Sequence, residues 1–351
     1  MTRPADQTPD HRTTGPPMRG SSMLTTAYGD AVLARLRDTR VALGTMYFGT
    51  TTDEATSRAI LDRFAERGGR LIDTANCYAF WAPGGTGEES EQVIGRWLAD
   101  TGSREEMLLT TKVGCLPDPL DGPFPESAEG LDPAVIRKQF ELSAQRLGTD
   151  RIDVYLTHAD DPKTPLAETA QALSDLVRDG RVGVVGASNS APERLREATD
   201  LAAADAIAAP RVLQVRHSYL WPDPAADIRP QRPLDREMVA HAQEHGIVLQ
   251  GYSPLLQGAL TRPDKELSPE YRSEDNERRL AHLRDLAERL GVTANQLALA
   301  WMAGGEVPVM PVLGVSSVAQ LDEALDGLEF ELPAEARADL DAQAPLSATS
   351  A

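Results

Sequence analysis

Short apolar runs alternate with longer amphipathic stretches from about residue 41 onward. The runs are Val41-Ala42-Leu43, Leu71-Ile72, Met107 to Thr111, Ile152 to Leu156, Val182 to Val185, Val212 to Val215, Ile247 to Leu249 and Val307 to Leu313, which makes eight candidate strands. Helical patterns with their own start and stop residues lie between them. Residues 132–147 open on Asp132 as a cap with Pro133 at the first helical position. They set Ile136, Phe140 and Leu147 on one face and stop at Gly148. Residues 164–179 repeat the arrangement with Thr164, Pro165 and a stop at Gly180. Ser190 and Glu193 have capping-box spacing for the next helix. Residues 24–40 fit either a short helix or an edge hairpin. The alternation implies parallel strands joined by crossovers. Eight such units in about 300 residues match a closed, parallel eight-stranded (β/α)8 TIM barrel; a doubly wound open sheet is the alternative.

A parallel barrel carries its chemistry at the carboxyl ends of its strands, so the residues that follow each apolar run come next. The second run continues Asp73-Thr74-Ala75-Asn76-Cys77-Tyr78, the third ends Thr110-Thr111-Lys112, and the fourth ends Thr157-His158. Charged groups directly after apolar strands are costly unless paired or used. Singly, each has a structural explanation. Asp73 and Lys112 can form a buried ion pair, His158 can be a satisfied core histidine, and Tyr78 can be a packing aromatic. Four together on three successive strands suit proton transfer to a carbonyl oxygen. A phenol with a pKa of about 10 is a poor donor near neutrality. An adjacent ammonium favours the phenolate and lowers that value, Asp73 holds Lys112 charged, and His158 orients the carbonyl oxygen. A hydride donor must come from elsewhere.

Composition narrows the setting. The 351 residues are 41% hydrophobic and 25% charged, as in a soluble globular enzyme. A formal charge of −19 disfavours nucleic acid and anionic lipid as partners. Two cysteines, Cys77 and Cys115, make no disulfide framework, in keeping with a cytoplasmic chain. No apolar run has membrane-spanning length, and the start lacks the apolar core of a signal peptide. Residues 1–23, rich in Pro, Thr, Gly and charge, read as a disordered tail. Met18 or Met23 is a possible alternative start, and residues 24–351 read as a single domain.

Asp73-Thr74-Ala75-x-x-Tyr78, Thr111-Lys112, His158 and Ser188-Asn189 together resemble the aldo-keto reductase signature, and the resemblance runs from about Val41 to Ala342. It implies a barrel that binds a nicotinamide nucleotide without a Rossmann domain and reversibly reduces an aldehyde or ketone. Tyr78 is then the general acid, Lys112 and Asp73 tune it, and His158 orients the substrate. By the same resemblance Ser188, Asn189 and Gln214 hydrogen-bond the nicotinamide carboxamide, and Tyr252 stacks on the ring. Leu255, Gln257 and Leu260 lie in a strap over the pyrophosphate, and Gly44, Thr45 and Met46 form a cofactor-contacting turn. The adenosine end departs from many relatives. Gly314 and Gln320 stand where Lys and Arg grip the 2′-phosphate of NADP, and Ala324 replaces a customary Asn. Ser316 and Ser317 at a helix N-terminus, or Arg262 or Lys265 of the strap, can compensate in part. NADP is the expected cofactor, with NAD or dual use as the alternative.

Two loops, Cys115 to Gly130 and Tyr219 to Pro233, rim the expected site, with Tyr47, Phe48, Trp81 and Trp221 as candidate pocket walls. The acidic first loop argues against a polyanionic substrate and fits a hydroxylated carbonyl such as a keto-sugar or a natural-product ketone. His241 to His245 spells H-x-x-E-H, a zinc-ligand pattern. No third ligand is apparent and its helix ends away from the site, so a solvated helix face is expected and no metal. A redox switch between Cys77 and Cys115 is conceivable, although such thiols are usually apolar fillers. The expected function is a nicotinamide-dependent carbonyl reductase. The rival is a nucleotide-binding accessory subunit with little turnover.

Overall fold

The computed structural model describes residues 23–262 and 264–343. The tail expected over residues 1–23 therefore lies, apart from Met23, outside the described residues, as does the end of the chain beyond residue 343. Within them the chain forms a closed barrel of eight parallel strands in sequence order, each hydrogen-bonded to the next and the eighth to the first. The strands are β1 (Ala42–Gly44), β2 (Leu71–Asp73), β3 (Leu108–Val113), β4 (Ile152–Thr157), β5 (Val182–Ser188), β6 (Val212–Arg216), β7 (Val248–Tyr252) and β8 (Met310–Gly314). They coincide with the eight apolar runs, displaced by a residue or a few at most ends. The open-sheet alternative fails because β1 pairs with β8 through Ala42–Val312, Leu43–Leu313 and Gly44–Gly314.

The helices that return the chain, beginning with α2 (Glu54–Glu66) and α3 (Glu89–Thr101), start and stop largely for the expected reasons. The Asp132 side chain accepts from the Ala134 amide at the start of α4 (Pro133–Leu147), and Gly148 closes it in the left-handed conformation at φ 65°. Two expected caps differ. Pro165, not Thr164, precedes α5 (Leu166–Arg178), and the Thr164 hydroxyl donates to Asp161 instead. Ala191 precedes α6 (Pro192–Asp205), and the Ser190 hydroxyl donates to Asp160.

Residues 24–40, left open by the sequence, hold helix α1 (Ala27–Asp38) with Thr26 as its cap. Val32 and Leu36 pack with Ala42, Leu71, Leu108, Val154 and Val212 from the barrel interior. Leu71, Leu108 and Val212 begin their strands, so α1 closes the amino end of the barrel and leaves the carboxyl end for the site. Among the described residues no helix is long and apolar enough to cross a membrane.

Candidate active site

Register carries the side chains of three strand ends to one point. Asp73 ends β2, Lys112 lies near the end of β3, and His158 follows β4. Asp73 pairs with Thr110 and Lys112 with Leu156. Asp73 and Lys112 are wholly buried, and Tyr78 is 9% exposed. Lys112 Nζ donates to Asp73 Oδ1 at 2.6 Å, to the Tyr78 hydroxyl at 2.6 Å and to the Thr74 carbonyl at 2.8 Å, which satisfies all three ammonium protons. The Tyr78 hydroxyl donates to Asp73 Oδ1 at 2.9 Å. The His158 ring meets Tyr78 edge-on with centroids 5.9 Å apart. The four residues that sequence reasoning grouped are thus brought together.

Their electrostatics differ from the expectation in one respect. Burial and the adjacent Asp73 carboxylate push the Tyr78 phenol well above its ordinary value, despite the ammonium beside it. A buried phenolate facing Asp73 costs more than Lys112 returns, so the resting phenol is protonated throughout the neutral range. Burial lowers Lys112, against the pull of Asp73. Burial and the Lys112 charge hold His158 well below the usual histidine range, so its ring is neutral.

The carboxamide-binding expectations divide. Gln214 Nε2 donates to Asp73 Oδ2 at 2.7 Å and to Gln250 Oε1 at 2.9 Å, while its own Oε1 makes no hydrogen bond among the described residues. Gln214 is therefore tied to the Asp73–Lys112–Tyr78 group yet keeps a free acceptor. The Ser188 hydroxyl oxygen accepts from Asn189 Nδ2 at 3.2 Å, and its proton is uncommitted. An acceptor and a donor side by side fit a primary carboxamide. The half-buried Tyr252 lies at the end of β7. Asn189 differs from the expectation. Its Nδ2 also donates to the His158 carbonyl at 3.0 Å. Its Oδ1 accepts from the Tyr252 hydroxyl at 2.7 Å and the Arg232 amide at 3.1 Å. With φ at 54° it ties its own segment to three others and reaches a carboxamide only by releasing one of those.

Three further residues named from the sequence turn their side chains into the protein. Thr45 is 0% exposed, and its hydroxyl donates to the Asp73 carbonyl, leaving the partly exposed Gly44 and Met46 beside it. Leu260 packs in the core with Leu283 and Leu297. Phe48 packs with Ile60, Val93 and Leu321, because Thr45-Met46-Tyr47-Phe48 is a turn that points its first and last residues inward. In the strap, Leu255 is half-buried and Gln257 exposed with φ at 56°. Lys265 donates to the Gln257 carbonyl, and Arg262 pairs with Asp264, so neither strap cation is idle. At the adenosine end Gly314 is exposed, and a side chain added there would meet open space. Gln320 Oε1 accepts from the Ser316 amide and hydroxyl, at 2.8 and 3.1 Å.

Tyr47 and Trp81 remain as exposed aromatics, joined by two residues that sequence reasoning missed. Trp81 meets Tyr47 edge-on at 6.4 Å and Phe80 edge-on at 5.0 Å, and Phe80 lies 5.5 Å from Phe124. Phe80 packs against the small cluster that contains Tyr78, so the aromatic rim adjoins the phenol. Trp221 instead lines a cavity walled by its own loop, with Pro222, Arg229, Arg232 and Met238. Sequence reasoning also passed over Glu129. It accepts from Asn76 Nδ2, the Gly114 amide and Gln139 Nε2, and so ties the acidic loop to the residues around Tyr78. Its place at the end of an acidic loop hid it among exposed carboxylates.

The family model for the aldo/keto reductase family matches residues 40–344. The chain belongs to the aldo/keto reductase family. Similar proteins include the uncharacterized oxidoreductase YrpG of Bacillus subtilis, 32% identical over 86% of this chain and 90% of that one. Norsolorinic acid reductase stcV of Emericella nidulans is 31% identical over 86% of this chain and 76% of its own length. The aldo-keto reductase yakc [NADP(+)] of Schizosaccharomyces pombe is 29% identical over 81% of each chain.

Among the described residues, two histidines of this aldo/keto reductase outside the group around Tyr78 are buried. His241, part of the H-x-x-E-H pattern in α7 (Arg236–His245), is buried, with Nε2 2.9 Å from the Thr199 hydroxyl of α6. The solvated face expected there is a helix–helix contact. His217, just past β6, is 4% exposed, stacks near Trp301 and has no hydrogen-bond partner for Nδ1 among the described residues. Burial lowers its pKa to about 4. Between that value and the unfolded value of about 6.5, the unfolded chain binds the extra proton. Stability from His217 is therefore complete above pH 6.5 and is lost as pH falls towards 4, by about 3 kcal/mol. His158 acts in the same direction. Thermal unfolding should show Tm falling over this window in the wild type, and falling less steeply in His217→Gln.

Proposed function

We propose that this aldo/keto reductase reduces an aldehyde or ketone to the alcohol with a reduced nicotinamide nucleotide, Tyr78 giving the proton. The observation that supports this reading is the buried Tyr78–Lys112–Asp73 triangle, with contacts of 2.6 to 2.9 Å beside a neutral imidazole. When bound, the nucleotide supplies hydride to the carbonyl carbon. Gln214, Ser188 and Tyr252 would hold its nicotinamide end. His158 donates to the carbonyl oxygen and fixes it near Tyr78. The Tyr78 hydroxyl turns its proton from Asp73 to that oxygen as negative charge develops there. Lys112 then holds the phenolate through the hydrogen bond it already makes, and Asp73 keeps Lys112 charged.

The phenol stays protonated well above neutrality, and His158 does not titrate near it. The rate of carbonyl reduction should therefore be flat from about pH 7 to 9 in this account. A sigmoid loss centred in that interval would point to a different acid.

NADP is the proposed nucleotide, supported by the NADP(+) in the name of the Schizosaccharomyces pombe relative. With no cation at Gly314 or Gln320, the 2′-phosphate gains few charge-assisted bonds. NAD should then bind within about tenfold of NADP, as fluorescence titration with each reduced nucleotide would report. For the substrate, the rim of Tyr47, Phe80, Trp81 and Phe124 favours a flat aromatic carbonyl of natural-product type over a keto-sugar. The name of the Emericella nidulans relative is in keeping with that. The test is absorbance at 340 nm with reduced nucleotide and a panel of aryl ketones, aryl aldehydes and keto-sugars. Turnover strongest on the aryl carbonyls supports the reading. Nucleotide binding without turnover across the panel would favour the accessory-subunit alternative.

A further inference from the structure

A neutral imidazole carries one proton on one of two nitrogens, and the other nitrogen can only accept. For His158 this choice decides whether a carbonyl oxygen meets a donor or a lone pair. Cys77 Sγ lies 3.4 Å from Nδ1, and Nε2 makes no hydrogen bond among the described residues. Cys77 immediately precedes Tyr78 and is 2% exposed, within a small cluster of Ala75, Tyr78 and Cys115. No carboxylate or carbonyl oxygen competes for Nδ1 among the described residues.

Burial pushes the Cys77 thiol well above its ordinary value, so the sulfur keeps its proton. A thiol is a weak donor, but a protonated one beside a bare ring nitrogen has a proton to give, whereas sulfur is a poor acceptor for an imidazole N–H. The same burial makes the thiolate, the form that reacts with oxidants, scarce. That weighs against the redox use of this sulfur and leaves its hydrogen bond.

We propose that Cys77 is a positioning residue. Its thiol donates to Nδ1 of His158, holds the ring in the Nε2–H tautomer, and so makes the imidazole a donor towards the carbonyl oxygen. The catalytic consequence rests on the reductase reading above; the tautomer assignment does not.

The test uses the full chain labelled with 15N-histidine and long-range proton–nitrogen correlation spectra at neutral pH. The His158 signals are identified by their loss in His158→Gln. The wild type should show a protonated Nε2 and a bare Nδ1 shifted by an accepted hydrogen bond. In Cys77→Val, which keeps the bulk and loses the donor, the Nδ1 signal should move and the two nitrogens should draw together as tautomers exchange. Cys77→Ser should restore the wild-type pattern. In parallel, Cys77→Val should lower kcat roughly three- to tenfold, the worth of one neutral hydrogen bond, with KM for the nucleotide unchanged, and Cys77→Ser should recover it. A proton on Nδ1 in the wild type, or a Cys77→Val spectrum identical to the wild type, overturns the proposal. A wild type with the assigned tautomer that reduces no carbonyl leaves the tautomer standing and overturns the reductase reading.

Discussion

Lys112→Met is expected to lower carbonyl reduction by about a hundredfold or more while leaving nucleotide affinity essentially unchanged. Lys112 is wholly buried, and its three protons go to Asp73, Tyr78 and the Thr74 carbonyl. It therefore reaches a bound nucleotide only through other residues. Methionine approximates its length and removes the charge. Two losses follow. The phenolate formed on proton transfer has no cation to hold it, and the Asp73 carboxylate is left buried without its partner. An uncompensated buried charge costs about 3–5 kcal/mol, so Tm should fall together with turnover. Steady-state kinetics, fluorescence titration and thermal unfolding check the three parts separately.

Tyr78→Phe is expected to have the larger effect on chemistry and the smaller effect on the fold. Loss of a positioned general acid lowers turnover about 10²–10⁴-fold. The Asp73–Lys112 contact at 2.6 Å does not pass through the phenol, so the ion pair survives. Two hydrogen bonds at the hydroxyl disappear, which costs about 1–2 kcal/mol. The nucleotide should still bind, because Gln214, Ser188 and Tyr252 are untouched. A variant that binds nucleotide, stays folded and does not turn over isolates the proton-transfer step. Retained turnover in Tyr78→Phe would remove the phenol from the mechanism.

Most of the fold was legible in the sequence because apolar runs and helix punctuation are local signals. Pro133 and Gly148 fix the ends of one helix by backbone geometry alone. The misread caps at Thr164 and Ser190 differ in cause: Thr164 turns back to Asp161, three residues earlier, whereas Ser190 finds Asp160, thirty residues away, a partner that spacing along the chain cannot reveal. Residues 24–40 stayed open because a helix that closes a barrel end is chosen by what it covers. In the site, Asp73, Tyr78, Lys112 and His158 were readable once the barrel was assumed, since strand ends converge in that topology. The turn after β1 was less readable. Phe48 and Thr45 point inward there, and only the three-dimensional turn distinguishes them from the exposed Tyr47. The roles of Asn189 and Glu129 depend on partners from distant segments, so no local pattern marked them. The sequence places an ammonium beside the Tyr78 phenol but does not show how deeply both are buried, and burial is what raises the phenol.

The most direct measurement is a single turnover with reduced nucleotide deuterated at the transferring position of its nicotinamide, using an aryl ketone and mass spectrometry of the product. The account predicts one deuterium at the carbinol carbon, an exchangeable proton from the enzyme on oxygen, and near-complete suppression in Tyr78→Phe. A product without deuterium, or transfer undiminished in that variant, would contradict it.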